Sequence, residues 1–381
     1  MLRVEVKPAL LRWARERARL GASGLASRFP KLSEWEGESV RPTLKQLEAF
    51  ANATHTPVGF FFLPEPPVES VPIPDFRTVA GAEVGPPSAD LLDTIYLCQQ
   101  RQEWYRDFAR STGEDPLPFV GSVTMSDDVV ATAAAIRHAL GFDLEERQQA
   151  PTWEEALRRF IGQADDLGVL VMCSGIVFNN THRKLDPDEF RGFAMADPLA
   201  PVVFINGSDT KSAQMFTLAH ELVHIWLGRS GLSDVQPVQE SDHAVERWCN
   251  LVAAELLVPA AAMREAYNPA AALPDEIGRL ARRFKVSTLV VLRRIHDLGW
   301  LPKKAFWAAY EAEVARLSAF GKGSGGNFHL TEAARVSKRF ARAVVGSTLE
   351  GQTLYRDAFR LLGFSKLETF HEFGRSLGVM A

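Results

Sequence analysis

Cysteine is scarce in this 381-residue chain, which holds only Cys98, Cys173 and Cys249. They are odd in number, widely separated and never arranged as Cys-x-x-Cys. That excludes a disulfide framework and a cysteine knuckle for a metal. Long apolar runs are missing as well. No stretch approaches the roughly 18 uninterrupted apolar residues of a membrane span, and Met1-Leu-Arg-Val-Glu-Val-Lys7 lacks the apolar segment of a secretion signal. These absences predict a soluble, cytoplasmic protein. Nor does one sign of charge dominate: 43 Lys and Arg against 47 Asp and Glu leave −4, which argues against nucleic-acid binding over the whole surface. The length leaves room for several domains and a substantial core.

What is present is a metal-binding pattern. Residues 220–224 read His-Glu-Leu-Val-His. His220 and His224, four apart, share one face of a helix and can hold a single Zn²⁺ through their imidazoles. Glu221 lies between them, too close along the helix to be a third ligand. It is placed to take a proton from water at the metal. Met215-Phe-Thr-Leu-Ala before and Ile225-Trp-Leu after continue the helix, with Gly228 as its C-cap.

The third ligand must come from elsewhere, and Asp242, His243 and Glu246 are the nearby candidates. They lie on a segment, Ser241 to Val258, that reads as helical until Pro259 stops it. Glu246 and Asn250 are four apart and face the same way. Glu246 would complete a His₂Glu set while Asn250 hydrogen-bonds a ligating imidazole. His243 could substitute as a ligand or donate to an oxyanion. Glu246 is the preferred choice.

Phe216-Thr-Leu-Ala-His-Glu-Leu-Val-His-Ile-Trp-Leu-Gly228, then Glu246-Arg-Trp-Cys-Asn250 and Ala253-Ala-Glu-Leu-Leu-Val-Pro259, resemble the ImmA/IrrE family of metallopeptidases. Phe190-Arg-Gly-Phe-Ala194 and Ala200-Pro-Val-Val-Phe-Ile-Asn206 add to the likeness, which covers roughly residues 165–300. The resemblance implies a gluzincin-like zinc endopeptidase whose usual substrates are helix-turn-helix repressors. It matches His220 and His224 to the histidine ligands, Glu221 to the base and Glu246 to the carboxylate ligand. Trp248-Cys249 departs from it, since the family tends to have small residues before the Asn.

Two further segments resemble helix-turn-helix modules. In residues 1–63, Leu25-Ala-Ser-Arg-Phe29, Lys31-Leu-Ser-Glu-Trp-Glu-Gly37 and Thr43-Leu-Lys-Gln-Leu-Glu-Ala-Phe-Ala51 are similar to the repressor (Xre) type. Ten Lys and Arg against six Glu up to Thr56 make this stretch locally basic. Its spacing from Leu25 to Trp35 is short by about one helical turn, so residues that would enter the major groove are missing. Residues 268–305 contain a pattern of full spacing: Leu280-Ala-Arg-Arg-Phe-Lys-Val-Ser287, then Val290 to Gly299, capped by Ser287. Arg282, Arg283, Lys285, Arg293 and Arg294 are expected to make a basic surface there, so DNA is a partner to consider.

The remaining organisation is expected to be a Pro-rich, stiff linker and a helical region over 64–150, a metallopeptidase core over 151–267, and a helical domain over 306–381 that includes a glycine-rich linker at 321–326. Residues 168–173, 190–194 and 202–205 read as strands. The expected fold is α+β: a mainly helical, multidomain chain with a small sheet packed on the helix of residues 220–224. Asn179-Asn-Thr-His-Arg183 joins two of those strands, so His182, and with it Arg191, are further candidates for contacts with substrate or oxyanion. The expected function is a zinc-dependent, site-specific cut in a partner protein, a helix-turn-helix repressor, with the substrate paired along Val202–Ile205. The alternative is an antitoxin-like or transcriptional regulator that binds a toxin or DNA without proteolysis.

Overall fold

The computed structural model describes residues 2–76, 85–233, 244–318 and 334–380. They divide into two compact units, one of residues 2–72 with 85–96, the other of residues 73–76 with 97–380. Among the described residues no helix is long and apolar enough to cross a membrane.

The first unit holds α1 (Pro8–Arg17), α2 (Ala22–Ala26), α3 (Leu32–Glu36), α4 (Leu44–Ala53) and a 3₁₀ turn, Val58–Phe62. Pro8 opens α1, where its missing N–H costs nothing. Thr43 and Gln46 form a capping box on α4, with Thr43 N–H donating to Gln46 Oε1 at 2.9 Å. Leu10, Leu11, Leu25, Phe29, Leu32, Trp35, Leu47, Phe50 and Phe61 close a small core. α2 and α3 are five residues each, and α3 turns Leu32 and Trp35 inward. Some of the local positive charge is spent internally: Arg15 pairs with Glu36 at 3.3 Å, and Arg17 with Glu69.

α5 (Ala89–Thr112) belongs in part to each unit. The second unit continues with α6 (Val129–Leu140), α7 (Leu144–Gln148), α8 (Trp153–Leu167), β1 (Leu170–Ser174), β2 (Gly192–Met195), β3 (Val202–Asn206), α9 (Lys211–Trp226) and β4 (Gly231–Ser233). α10 (Ala244–Leu257), α11 (Ala260–Ala266), α12 (Leu273–Phe284), α13 (Thr288–Asp297) and α14 (Lys303–Ser318) follow. α15 (Lys338–Leu349), α16 (Tyr355–Leu362) and α17 (Leu367–Ser376) end the chain. The fold is α+β and mainly helical, as the sequence predicts. The glycine-rich segment 321–326 and the expected helix start at 241–243 lie outside the described residues.

The sheet runs β1-β3-β2-β4. β1 is parallel to β3, and β2 is antiparallel to both β3 and β4. On one face Val171, Ala194, Val203 and Ile205 meet Leu218, Ala219 and Leu222 of α9 in the main core. On the other, Phe193 stacks on Phe204 with ring centroids 5.0 Å apart. Strands buried on both faces read as continuous apolar runs, and Val202–Ile205 is such a run. β3 is therefore an interior strand with both edges paired, so it cannot also take up a substrate as expected from the sequence. The outer strands are β1 and β4.

Part of the Pro-rich linker is likewise not free. Leu232 N–H donates to Pro74 O at 2.8 Å and Phe76 N–H to Leu232 O at 2.9 Å, adding residues 74–76 to the sheet beside β4. The second helix-turn-helix pattern forms α12 and α13, joined through Lys285 in the left-handed region (φ 52°). Ser287 caps α13, and Val286, Val290, Val291 and Ile295 are its buried face. The basic surface expected here is smaller than its sequence suggests. Arg294 and Lys285 are buried, and Arg293 is paired with Asp297 at 2.8 Å.

Candidate metal centre

α9 is buried on every side from Gln214 to Trp226, as a helix with apolar residues all round must be. Thr210 caps its start by accepting from Ala213 N–H. It ends at Trp226, and Gly228 takes the left-handed conformation (φ 67°) that turns the chain away. The polar side chains His220, Glu221 and His224 are thus carried into the core and fully excluded from solvent.

α10 supplies the carboxylate. Val245, Trp248, Cys249, Val252 and Leu256 anchor it in the core. Three arginines grip its C-terminal end, where unpaired carbonyls carry partial negative charge. Arg137 donates to Glu255 O at 2.7 Å, Arg147 to Leu257 O, and Arg294 to Val258 O at 2.9 Å and to the Glu255 carboxylate. This clamp fixes the helix, and with it Glu246.

His220 Nε2 lies 3.1 Å from Glu246 Oε2, His224 Nε2 3.0 Å from Glu246 Oε1, and the two Nε2 atoms are 3.1 Å apart. Ligands about 2.0–2.2 Å from a tetrahedral ion stand roughly 3.3–3.5 Å from one another. A small divalent ion would therefore fit after an opening of a few tenths of an ångström. His220, His224 and Glu246 are the group of His, Cys, Asp and Glu residues that could hold an ion among the described residues. The donor set fits a metal on a second ground. Among the described residues Glu246 Oε1, one of the converging atoms, is buried with no hydrogen-bond partner. Such groups are costly without compensation.

The electrostatics separate the two carboxylates. Burial pushes Glu221 up to about 8, only partly offset by His224. Glu246 is buried too, but the imidazoles of His220 and His224 beside it hold it well below the usual carboxylate range. Burial thus favours the protonated form of Glu221, whereas the two imidazoles favour the charged form of Glu246. Burial also lowers His220, favouring the neutral imidazole that ligates metals. Asn250 faces His220 closely enough to oppose that shift. Cys249 lies against His224.

The sheet completes the surroundings. β2 passes so close to α9 that a Cβ on Gly192 would stand 3.1 Å from Glu221 Oε1. Ser233, opposite Gly192 in β4, faces Glu221 and favours its charged form, though no hydrogen bond closes between them. Phe76 lies nearly parallel to the His224 ring at 6.0 Å. Ser233 and Phe76 escape a motif-based reading, and Gly192 and Cys249 lie inside quoted motifs without a role being read for them. Only the glycine beside Arg191 offered a hint, as a mark of close backbone approach.

The other candidates fall elsewhere. His182 sits exposed in the loop between β1 and β2, its N–H bonded to Asn180 Oδ1 at 3.0 Å. Arg191 is bonded to Asp209 at 3.2 Å, tying the start of β2 to the start of α9. Asp242 and His243 lie outside the described residues.

The segment that carries this cluster is similar to a known family. Residues 164–296 match the family model described as IrrE N-terminal-like domain, and residues 336–376 match a domain of unknown function, DUF8813. The radiation response metalloprotease IrrE of Deinococcus radiodurans is 34% identical over 111 residues, 28% of this chain and 34% of that protein. The match thus spans about a third of that relative's length.

Proposed function

Because the chain carries an ImmA/IrrE-family metallopeptidase domain over residues 164–296, we propose that it is a zinc-dependent endopeptidase that cuts a partner protein at a defined site. His220, His224 and Glu246 hold the ion in a gluzincin-like arrangement. A zinc ion held there would supply Lewis acidity, to polarise the scissile carbonyl and to acidify the attacking water. Glu221 takes the proton of the attacking water and passes it to the leaving amine. Asn250 orients His220, and the α10 clamp keeps Glu246 in place.

The observation that carries this reading is Glu221: a fully buried carboxylate beside the ligand cluster, with both oxygens unpartnered among the described residues. A purely structural metal site has no need of it. The substrate we propose is a helix-turn-helix repressor, and the two helix-turn-helix-like segments, 1–63 and 268–305, are partner-facing modules. DNA contact through either is secondary, given that Arg15, Arg17, Arg293 and Arg294 are paired internally.

The test is to mix the purified, zinc-loaded protein with the product of its adjacent gene, wild type beside Glu221→Gln, and read intact masses. A defined cut by wild type alone supports the proposal. A stable uncut complex with both forms supports the antitoxin-like regulator instead.

A further inference from the structure

The sheet edge nearest the metal cluster is already occupied by the chain itself. Residues 74–76 run parallel to β4, and they engage the outward-facing N–H and C=O of Leu232. Pro74 contributes only its carbonyl, and its lack of an N–H suits an outermost strand. Phe76 then turns its ring over the site. It lies flat against His224, and it fills the space above Gly231, where a Cβ would come within 2.3 Å of Phe76 Cε2. Gly231 and Ser233 share a face of β4, and Ser233 faces Glu221, so the ring sits on the catalytic side of the sheet. Beneath it His220, Glu221 and His224 have no exposed surface, and Glu246 is 3% exposed.

We infer that Ile73–Phe76 is a built-in strap that occupies the substrate-strand position beside β4 and shields His224, so that a peptide enters only when the strap leaves. The inference rests on the endopeptidase reading. An extended peptide recruited by strand addition needs a sheet edge with free backbone groups. β3 is interior, and beside β4 the groups of Leu232 that would receive the peptide are those the strap holds. The strap ends in an aromatic ring packed on a glycine, so the side chain it admits at that position is large, flat and apolar. A partner segment that displaces it carries such a residue in an extended stretch. The backbone hydrogen bonds to Leu232 and the ring contact with His224 are of a kind that a longer substrate strand can replace.

The test uses the full-length, zinc-loaded protein. The rate at which excess 4-(2-pyridylazo)resorcinol withdraws the zinc is measured for wild type, for Phe76→Ala, which removes the ring, and for Phe76→Pro, which also removes the N–H bonded to Leu232. Release at least about tenfold faster in both variants, with the native circular dichroism retained, is the expected result. In parallel, metal-free protein is treated with diethyl pyrocarbonate and modification of His224 is located by peptide mapping. It should be slow in wild type and about tenfold faster in Phe76→Ala. Rates within about twofold of wild type in both assays would overturn the strap. If Phe76→Pro fails to fold, Phe76→Ala decides. A wild type that takes up no zinc counts against the metallopeptidase reading alone, because the carbethoxylation assay still tests the strap.

Discussion

Gly192 and Glu221 approach so closely that the smallest side chain on the glycine would crowd the carboxylate. A Cβ there would stand 2.5 Å from Thr217 Cγ2, 2.8 Å from the Phe204 carbonyl oxygen and 3.1 Å from Glu221 Oε1. The carbonyl belongs to the β3 ladder and cannot retreat cheaply. Gly192→Ala should therefore destabilise the fold by about 1–3 kcal/mol, measured by urea unfolding, and disturb Glu221 along with it. An unchanged midpoint would show that β2 and α9 have room to part.

Glu221→Gln removes the base while keeping the volume. It should take up zinc with the wild-type stoichiometry and lose cleavage by about 10²-fold or more. Cleavage retained at wild-type rate would remove Glu221 from the mechanism.

The crowding of His220 Nε2, His224 Nε2 and the Glu246 carboxylate in a site closed to solvent predicts that the fold gains stability from its ion. Free zinc at about 100 times its Kd adds roughly 2.7 kcal/mol, or several degrees in Tm for a unit of this size. Differential scanning fluorimetry with and without zinc reads the shift, and His224→Ala should abolish it. Equal shifts in both proteins would place the zinc elsewhere.

Asp165, at the end of α8, holds the start of α15: Ser337 Oγ donates to Oδ1 at 2.6 Å and Arg339 N–H to Oδ2 at 2.8 Å. Burial raises its pKa, and these bonds only partly pull it back. With the folded value raised, Asp165's contribution to stability is full below the ordinary Asp range and is lost as pH rises through the folded value. Asp165→Asn should flatten that portion of the stability–pH curve. Urea midpoints from pH 4 to 7 that run parallel for the two proteins would contradict this.

The sequence was most legible where the chemistry is local. The helical spacing of His220 and His224, and the residues that flank them, foretell the helix α9. Glu246 follows from its place one turn before Asn250. What failed was anything decided by long-range pairing. Val202–Ile205 reads equally well as an edge or an interior strand until its neighbours are known. β4 is three residues long, Gly231-Leu-Ser233, too short for any alternation to show. Residues 74–76 read as linker because Pro74 suggests extension and says nothing of a partner. Arg294 reads as surface charge, yet it lies buried against α10, where the unpaired carbonyls of a helix end are what it answers.

The most direct test of the metal centre is native mass spectrometry of the full-length chain titrated with zinc, comparing wild type, Glu221→Gln and Glu246→Ala. One tightly held zinc in the first two, with affinity in Glu246→Ala reduced by more than the roughly 10–100-fold that an outer-shell loss costs, is the predicted result. Zinc held as tightly without Glu246, or not held by wild type, would contradict the assignment.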